Sequence, residues 1–331
     1  MEQYDYLDME GFSPLGERPV LCIDLAASAA PPVLPHQAVI IGIDHAGALP
    51  LVDPSGYDLF LTTAEAPPAP WVGLADVAAE IARIEAAVLA NPVAASILCR
   101  VLRMGENLAV AEALALESLA YSTLLGGQEF AHWRATWQGA VQPHQPSAEP
   151  LLLFEREGDH ITLRLNNPDH RNAMTAAMRD ALYAALVNIL DDPTRPTVSL
   201  RANGKCFSTG GHIPEFGSAR DLAMAHVVRT QHSCARAIAA LDGRIDVHFH
   251  GACVGSGLEV PAAAGRRTAT ANAHFQLPEL GMGLIPGAGG TVTVGRAIGR
   301  FRTAWMVLSG KRVSARQALE WGLVQNIADL P

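Results

Sequence analysis

The sequence predicts an α/β layered fold preceded by a β-containing segment and a helical unit. Three observations carry this. Short β-type runs alternate with turn residues over 18–63, helical spacing takes over from about 73 to 137, and strand and helix patterns alternate beyond a proline-rich stretch at 141–150. The expected divisions are a small β-containing segment at 1–70, a helical region at 71–142 and a larger core at 151–331.

In the first segment, "PVLCIDL", "QAVIIGID" closed by "HAG", and "YDLFLTT" after "DPSG" read as strands. "APPAP" at 66–70 reads as a stiff connector. Leu74, Val77, Ile81, Ile84 and Val88 then share one helical face until "ANP" at 90–92 breaks it. Helical runs follow in "VAASILCRVLR", "NLAVAEALALESLAYSTLL" and "GQEFAHWRATW", separated by "MGE" and "GG". "VQPHQPSAEP" at 141–150 has the composition of a linker. Beyond it, "LLLFEREGDHITLRLN" reads as a hairpin with a Gly-Asp turn, "NAMTAAMRDALYAALVNIL" as a helix, "TVSLRA" as a strand, and "LAMAHVVRTQHSCARAIAAL" as more helix.

A chain of 331 residues, 49% hydrophobic and 17% charged, has ample material for a core, and its length fits one large domain with an appended piece. The net charge of −9 without a Lys/Arg cluster argues against nucleic acid as a partner, because no basic stripe is available to displace counterions. The five cysteines are scattered, with no Cys-x-x-Cys pair, and read as buried free thiols in a reducing compartment. No metal site is expected. "MEQYDYLDME" has neither a basic nor an apolar leader region, and runs such as "AVIIGI" fall far below membrane-spanning length. The expected location is the cytoplasm, with no membrane partner.

Chemistry is suggested by two glycine turns and two acids. "FSTGGHIPEF" places Gly210 and Gly211 at a strand end, and "CVGSGLEV" places Gly255 and Ser256 at a helix opening, where backbone N–H groups lack internal partners. Taken singly, each turn reads as a tight strand-to-helix connection. Converging, the two would make an oxyanion hole. Gly-Ser-Gly at 255–257 is not a dinucleotide fingerprint, because Val260 stands at the third glycine position, and Ser256 lacks the flanking glycines of a nucleophile elbow. Glu259 and Glu279 both sit among apolar residues beside glycine clusters. Apolar surroundings raise a carboxyl pKa, and mutual repulsion keeps one acid protonated while the other ionises, which provides one acid and one base.

Residues 151–331 resemble the enoyl-CoA hydratase/isomerase (crotonase) superfamily. The likeness rests on "NNPDHRNAMTAAMRDAL", "GKCFSTGGHIPEF", "HGACVGSGLEV", "FQLPELGMGLIPGAGGT" and "SGKRVSARQALEWGLVQNI", in family order and at family spacing. The resemblance implies a crotonase-like spiral fold and an acyl-CoA substrate, with coenzyme A entering as part of that substrate and no separate cofactor. It implies an oxyanion hole from the backbone N–H groups of Gly211 and Ser256, with Gly210, His212 and Gly255 among the residues that bind substrate. It places Glu259 as the water-activating base, Glu279 as the acid at the α-carbon, and Gly287 beside the bound water. His170, Arg171, Asn172, Ala173 and Met174 match the loop that holds the adenine end of the coenzyme. The activity so implied is hydration of a 2-enoyl-CoA. The alternatives are another enolate reaction (isomerisation, C–C cleavage or thioester hydrolysis) and a catalytically silent CoA-binding protein.

The sequence also departs from the family pattern. His212 stands where the family commonly has aspartate, Pro214 where a basic residue often follows, and His250 where an asparagine precedes Gly251. His248 and His250 could hold a metal, but without a third ligand a packing or polar role is preferred. Family members usually continue with helices that cover the site and build a trimer or a pair of trimers, which is the assembly expected here. "IEAAVLANPVAASILCRVLR" and "ALALESLAYSTLLGGQEFAHWRATW" resemble those helices, so a circular permutation and an unrelated helical domain are both open for 73–140.

Overall fold

The computed structural model describes residues 10–27, 37–139 and 149–329. Most of the linker expected at 141–150 lies outside the described residues.

The first unit is a four-stranded parallel sheet of β1 (Val20–Asp24), β2 (Val39–Asp44), β3 (Leu59–Thr62) and β4 (Trp71–Gly73), in that order. Every residue of β2 and β3 is buried, which is why the run "VIIGI" is continuously apolar rather than alternating. One face (Ile40, Tyr57, Phe60, Trp71) packs on Phe301, and the other (Val39, Ile41, Leu59, Leu61) joins the main core under the first helices. β4 was not expected; this three-residue strand lies directly after the stretch read as connector at 66–70 and before the helical spacing begins.

Four helices follow: α1 (Val77–Ala90), α2 (Pro92–Gly105), α3 (Val110–Leu125) and α4 (Gln128–Thr136). Asp76 caps α1 by accepting from Ala79 N at 2.9 Å, and Asn91 separates α1 from α2, as "ANP" suggested. Glu129 of α4 holds the start of α2, accepting from Val93 N at 2.7 Å and Ala94 N at 2.9 Å. No single helix among the described residues is long and apolar enough to cross a membrane; α1 and α2 together pass by composition but meet at 107°, and both contribute residues to the protein core.

The core begins with the expected hairpin, β5 (Leu152–Glu157) and β6 (His160–Leu165), paired antiparallel. α5 (Ala176–Asp191) buries Met178, Leu182, Leu186 and Ile189, one helical stripe. β7 (Thr197–Ala202) leads to α6 (Leu222–Gln231) and α7 (Cys234–Ala240). These are two helices rather than one run, because Ser233 turns its hydroxyl to cap Arg236 N. β8 (Ile245–Phe249), β9 (Ala252–Val254), α8 (Ser256–Glu259), β10 (Arg266–Ala269), β11 (His274–Gln276), α9 (Gly290–Ile298), α10 (Arg300–Ser309), β12 (Val313–Ser314), α11 (Ala315–Trp321) and β13 (Asn326–Ile327) complete the described chain.

Two sheets result, a six-stranded one ordered β13-β10-β8-β7-β6-β5 and a three-stranded one ordered β12-β11-β9. Phe249 links their interiors, with ring centroids 5.1 Å from Phe207 and 5.2 Å from Phe275. The small N-terminal sheet is tied to α10 by arginines. Arg300 donates to Tyr57 O and Pro54 O, and Arg302 to Trp71 O and Pro67 O.

Candidate active site

The two glycine turns meet. Gly210 (φ +89°) lies so close to the end of β9 that a Cβ there would sit 2.7 Å from Val254 O, and a Cβ on Gly255 (φ +50°) would sit 2.8 Å from Glu279 Oε1. Ser208 N accepts register from β9 by donating to Ala252 O, and Met174 N donates to Gly210 O, so strand pairing fixes both turns. Among the described residues, the N–H groups of Gly211 and Ser256 donate to nothing in the protein. Ser256 opens α8, where an unpaired N–H belongs.

The carboxylates converge on the same place. Glu259 and Glu279 are 3% and 6% exposed, and the Cβ position of Gly255 lies 3.8 Å from Glu259 Oε1 as well as beside Glu279 Oε1. Glu259 Oε2 accepts from Ala288 N at 2.7 Å and Gly290 N at 3.0 Å, in the loop before α9. Glu279 Oε2 and Ser256 Oγ are buried with no hydrogen-bond partner, so polar atoms at the centre of the site are left for a ligand. Burial pushes the pKa of both acids above the ordinary carboxyl range, and for Glu279 the neighbouring Glu259 adds to it.

A third acid joins them from the helical region. Glu117 of α3, 1% exposed, accepts from Gly289 N at 2.7 Å, from Thr291 N at 2.8 Å and from Thr291 Oγ1 at 2.6 Å. The same short loop thus gives alternate amides to Glu259 and to Glu117. Burial first, then Glu259, raises the pKa of Glu117. Tyr121, one turn later, lays its ring on Gly287, where a Cβ would come within 2.4 Å of Cδ2. α4 presses on the turn after Glu279, with Glu129 and Phe130 2.7 Å from a Cβ on Gly283. Helix α3 therefore lines the site, and α4 backs the turn that follows Glu279. Glu117 and Tyr121 stand in the sequence likeness to the family's C-terminal helices, as "E…YSTL", but neither was expected at the site. The available signal was an acid and a phenol one turn apart in the largely uncharged run "LALESLAYSTLL".

Of the residues expected at the site, Met174, Gly211, His212, Ser256, Glu259, Glu279 and Gly287 line one cavity of about 580 Å³, within the usual size of a small-molecule site. Gly210 and Gly255 lie directly behind that lining. His170, Arg171, Asn172 and Ala173 stand outside it. Asn172 is wholly buried and staples the turn: Oδ1 accepts from Asn167 N at 2.8 Å, and Nδ2 donates to Asn203 O and Cys206 O. His250 packs as a polar brace, Nε2 lying 3.1 Å from Gly204 O, and burial lowers its pKa. No group of three His, Cys, Asp or Glu side chains among the described residues could hold a metal ion.

Strand order, paired glycine turns and buried acids together make an α/β fold with two unpaired amides and two acids at one cavity. The enoyl-CoA hydratase/isomerase family model matches residues 155–329, about half the chain. The Bacillus subtilis (strain 168) protein YngF, whose name places it in that family, is 33% identical over 178 residues, covering 53% of this chain and 68% of its own. The 2,3-dehydroadipyl-CoA hydratase of Escherichia coli (strain K12) is 31% identical over 176 residues, covering 53% and 68%. The crystal structure of an enoyl-CoA hydratase from Thermoplasma volcanium GSS1 is similar at 31% identity and a TM-score of 0.50, over 55% of this chain and 73% of that one. The chain belongs to the enoyl-CoA hydratase/isomerase family, with a crotonase fold in its C-terminal half and an additional β and helical region before it.

Proposed function

We propose that the protein hydrates a 2-enoyl-CoA thioester. The observation that carries the reading is the convergence of Glu259 and Glu279 on one point beside two unpaired amides. In this mechanism the thioester oxygen accepts from Gly211 N–H and Ser256 N–H, which stabilise the enolate as charge develops. Water gives a proton to Glu259 as its oxygen bonds to the β-carbon, and Glu279 gives a proton to the α-carbon. Glu259 ends protonated and Glu279 ionised, and exchange with solvent resets the pair. Two carboxyl groups favour hydration over double-bond isomerisation, which one acid-base group can perform.

Helices α1–α4 do the work of the family's C-terminal helices in this reading, a circular permutation supported by the seat of Glu117 and Tyr121 at the site. Coenzyme A is held near the 170–174 loop. The assembly is a homotrimer or a pair of trimers, supported by exposed Leu119, Met224 and Val227 on α3 and α6. Light scattering that gives a monomer at micromolar concentration would count against the assembly.

The test of function is crotonyl-CoA hydration, followed by loss of enoyl-thioester absorbance, with product analysis to separate hydration from isomerisation, cleavage and thioester hydrolysis. Turnover by the wild type that collapses in Glu259→Gln and Glu279→Gln supports the reading. Binding without turnover on a panel of enoyl-CoA chain lengths overturns it in favour of a silent CoA-binding protein.

A further inference from the structure

Among the described residues, four arginines line the cavity without a task in this mechanism; Arg220 is exposed on the segment before α6 and Arg236 donates to Gln231 O at 2.9 Å, which leaves Arg179 and Arg229 to compare. Arg229 of α6 lines the cavity together with Glu117, Tyr121 and Glu259. Its Nη1 donates to Ser118 O at 3.2 Å, Ser118 Oγ at 3.0 Å and Ser122 Oγ at 3.0 Å, all neutral acceptors. The guanidinium stacks over the Tyr121 ring, 4.6 Å from its centroid. Among the described residues no carboxylate lies within ion-pair distance of Arg229, and its Nε and Nη2 donate no hydrogen bond within the protein. Glu117 is near enough to act on it electrostatically, but the Glu117 oxygens are already occupied by Gly289 and Thr291. Arg179, also on the cavity wall, differs in being paired with Asp180 at 2.8 Å.

A guanidinium remains charged, and Arg229 is half-buried on the cavity wall with no counter-ion among the described residues. Tying α6 to α3 does not call for a charge. His226 already makes such a tie, with Nδ1 2.9 Å from Ser118 Oγ. The positive charge of Arg229 is therefore surplus to packing, and its two free donor positions suit a planar anion.

We infer that Arg229 receives the far end of the acyl group, and that the preferred thioester carries a terminal carboxylate. This rests on the acyl-CoA reading above and names its substrate class. The other anion such a substrate offers is a coenzyme phosphate. Position favours the acyl carboxylate: Arg229 stacks on Tyr121, Tyr121 lies on Gly287, and the next residue, Ala288, holds Glu259. The phosphates lie a whole pantetheine arm away from the carbons that react there.

Calorimetric titration with adipyl-CoA and hexanoyl-CoA tests this without depending on turnover, since both are saturated and of equal chain length. The wild type is expected to bind adipyl-CoA about tenfold to a hundredfold more tightly, the range of a charge-assisted contact. Arg229→Gln should bring the two affinities together, and Arg229→Lys should keep part of the preference, with thermal unfolding confirming that both variants fold. Equal wild-type affinities overturn the inference and leave the thioester reading standing. Equal loss of both ligands in Arg229→Gln also overturns it, assigning the arginine to a phosphate or to packing. Failure of the wild type to bind either ligand removes the thioester reading and the inference together.

Discussion

Two of the joints between the helical region and the core run through a buried glutamate, and the two are built differently. At α1, Glu80 is 1% exposed and accepts from Trp305 Nε1 at 2.8 Å and from Lys311 Nζ. At α3, Glu117 is equally buried but is met only by neutral donors, with another acid close by. A carboxylate opposite a cation is a fastener, its charge fixed by its partner. A carboxyl group held by dipoles beside other acids keeps its proton at pH values where an exposed one would not. The difference separates a joint that only assembles the molecule from one that also shapes the site.

Four experiments press on that contrast. The largest effect belongs to the two acids of the proposed mechanism: Glu259→Gln and Glu279→Gln should each lower kcat by about 10²–10⁴-fold while unfolding like the wild type. Next, Lys311→Met removes the nearer of the two cations at Glu80 and leaves Arg83, 3.7 Å away and 56% exposed. It should cost on the order of 2–3 kcal/mol by urea unfolding, less than for a fully buried pair because Lys311 is 38% exposed, with kcat of the folded protein unchanged. Glu117→Gln should do the reverse, lowering kcat by roughly tenfold with little change in KM, because it disturbs the loop that holds Glu259. If Lys311→Met lowers kcat and Glu117→Gln affects stability alone, the contrast fails.

The smallest effect is in pH dependence. Glu117, Glu259 and Glu279 have pKa values raised above the unfolded carboxyl range. The folded state thus binds protons the unfolded chain has released. The contribution is fully present below the unfolded pKa and is lost as pH rises through the folded values. Stability should fall from about pH 5 toward about pH 8, and Glu117→Gln should flatten that fall.

Much of the fold was legible because local and long-range demands agree. The hairpin at 152–165 carries its own turn, "ANP" marks a helix boundary, and "VIIGI" is buried on both faces. Ordered motifs also exposed Glu259, Glu279 and the two glycine turns, whose amides need no side chain to act. Less legible were residues whose role depends on a distant partner. Ser233 reads as part of a helix until its hydroxyl is seen capping the next one. Glu117 and Arg229 lie on amphipathic helices, where their spacing indicates packing and nothing about what stands opposite. The 170–174 loop was matched to coenzyme binding, whereas Asn172 within it acts as an internal staple that no local pattern announces.

The bond from Thr291 N to Glu117 spans 174 positions of chain. On the ribosome, the helices that wall the site leave the exit tunnel long before the loop they hold has been made. Their apolar faces must wait, exposed or covered by a chaperone, until nearly the whole described chain has emerged. Closing so long a span is also slow compared with forming a helix or hairpin. The wall of the site is therefore made well before the loop it holds and is among the last parts to settle.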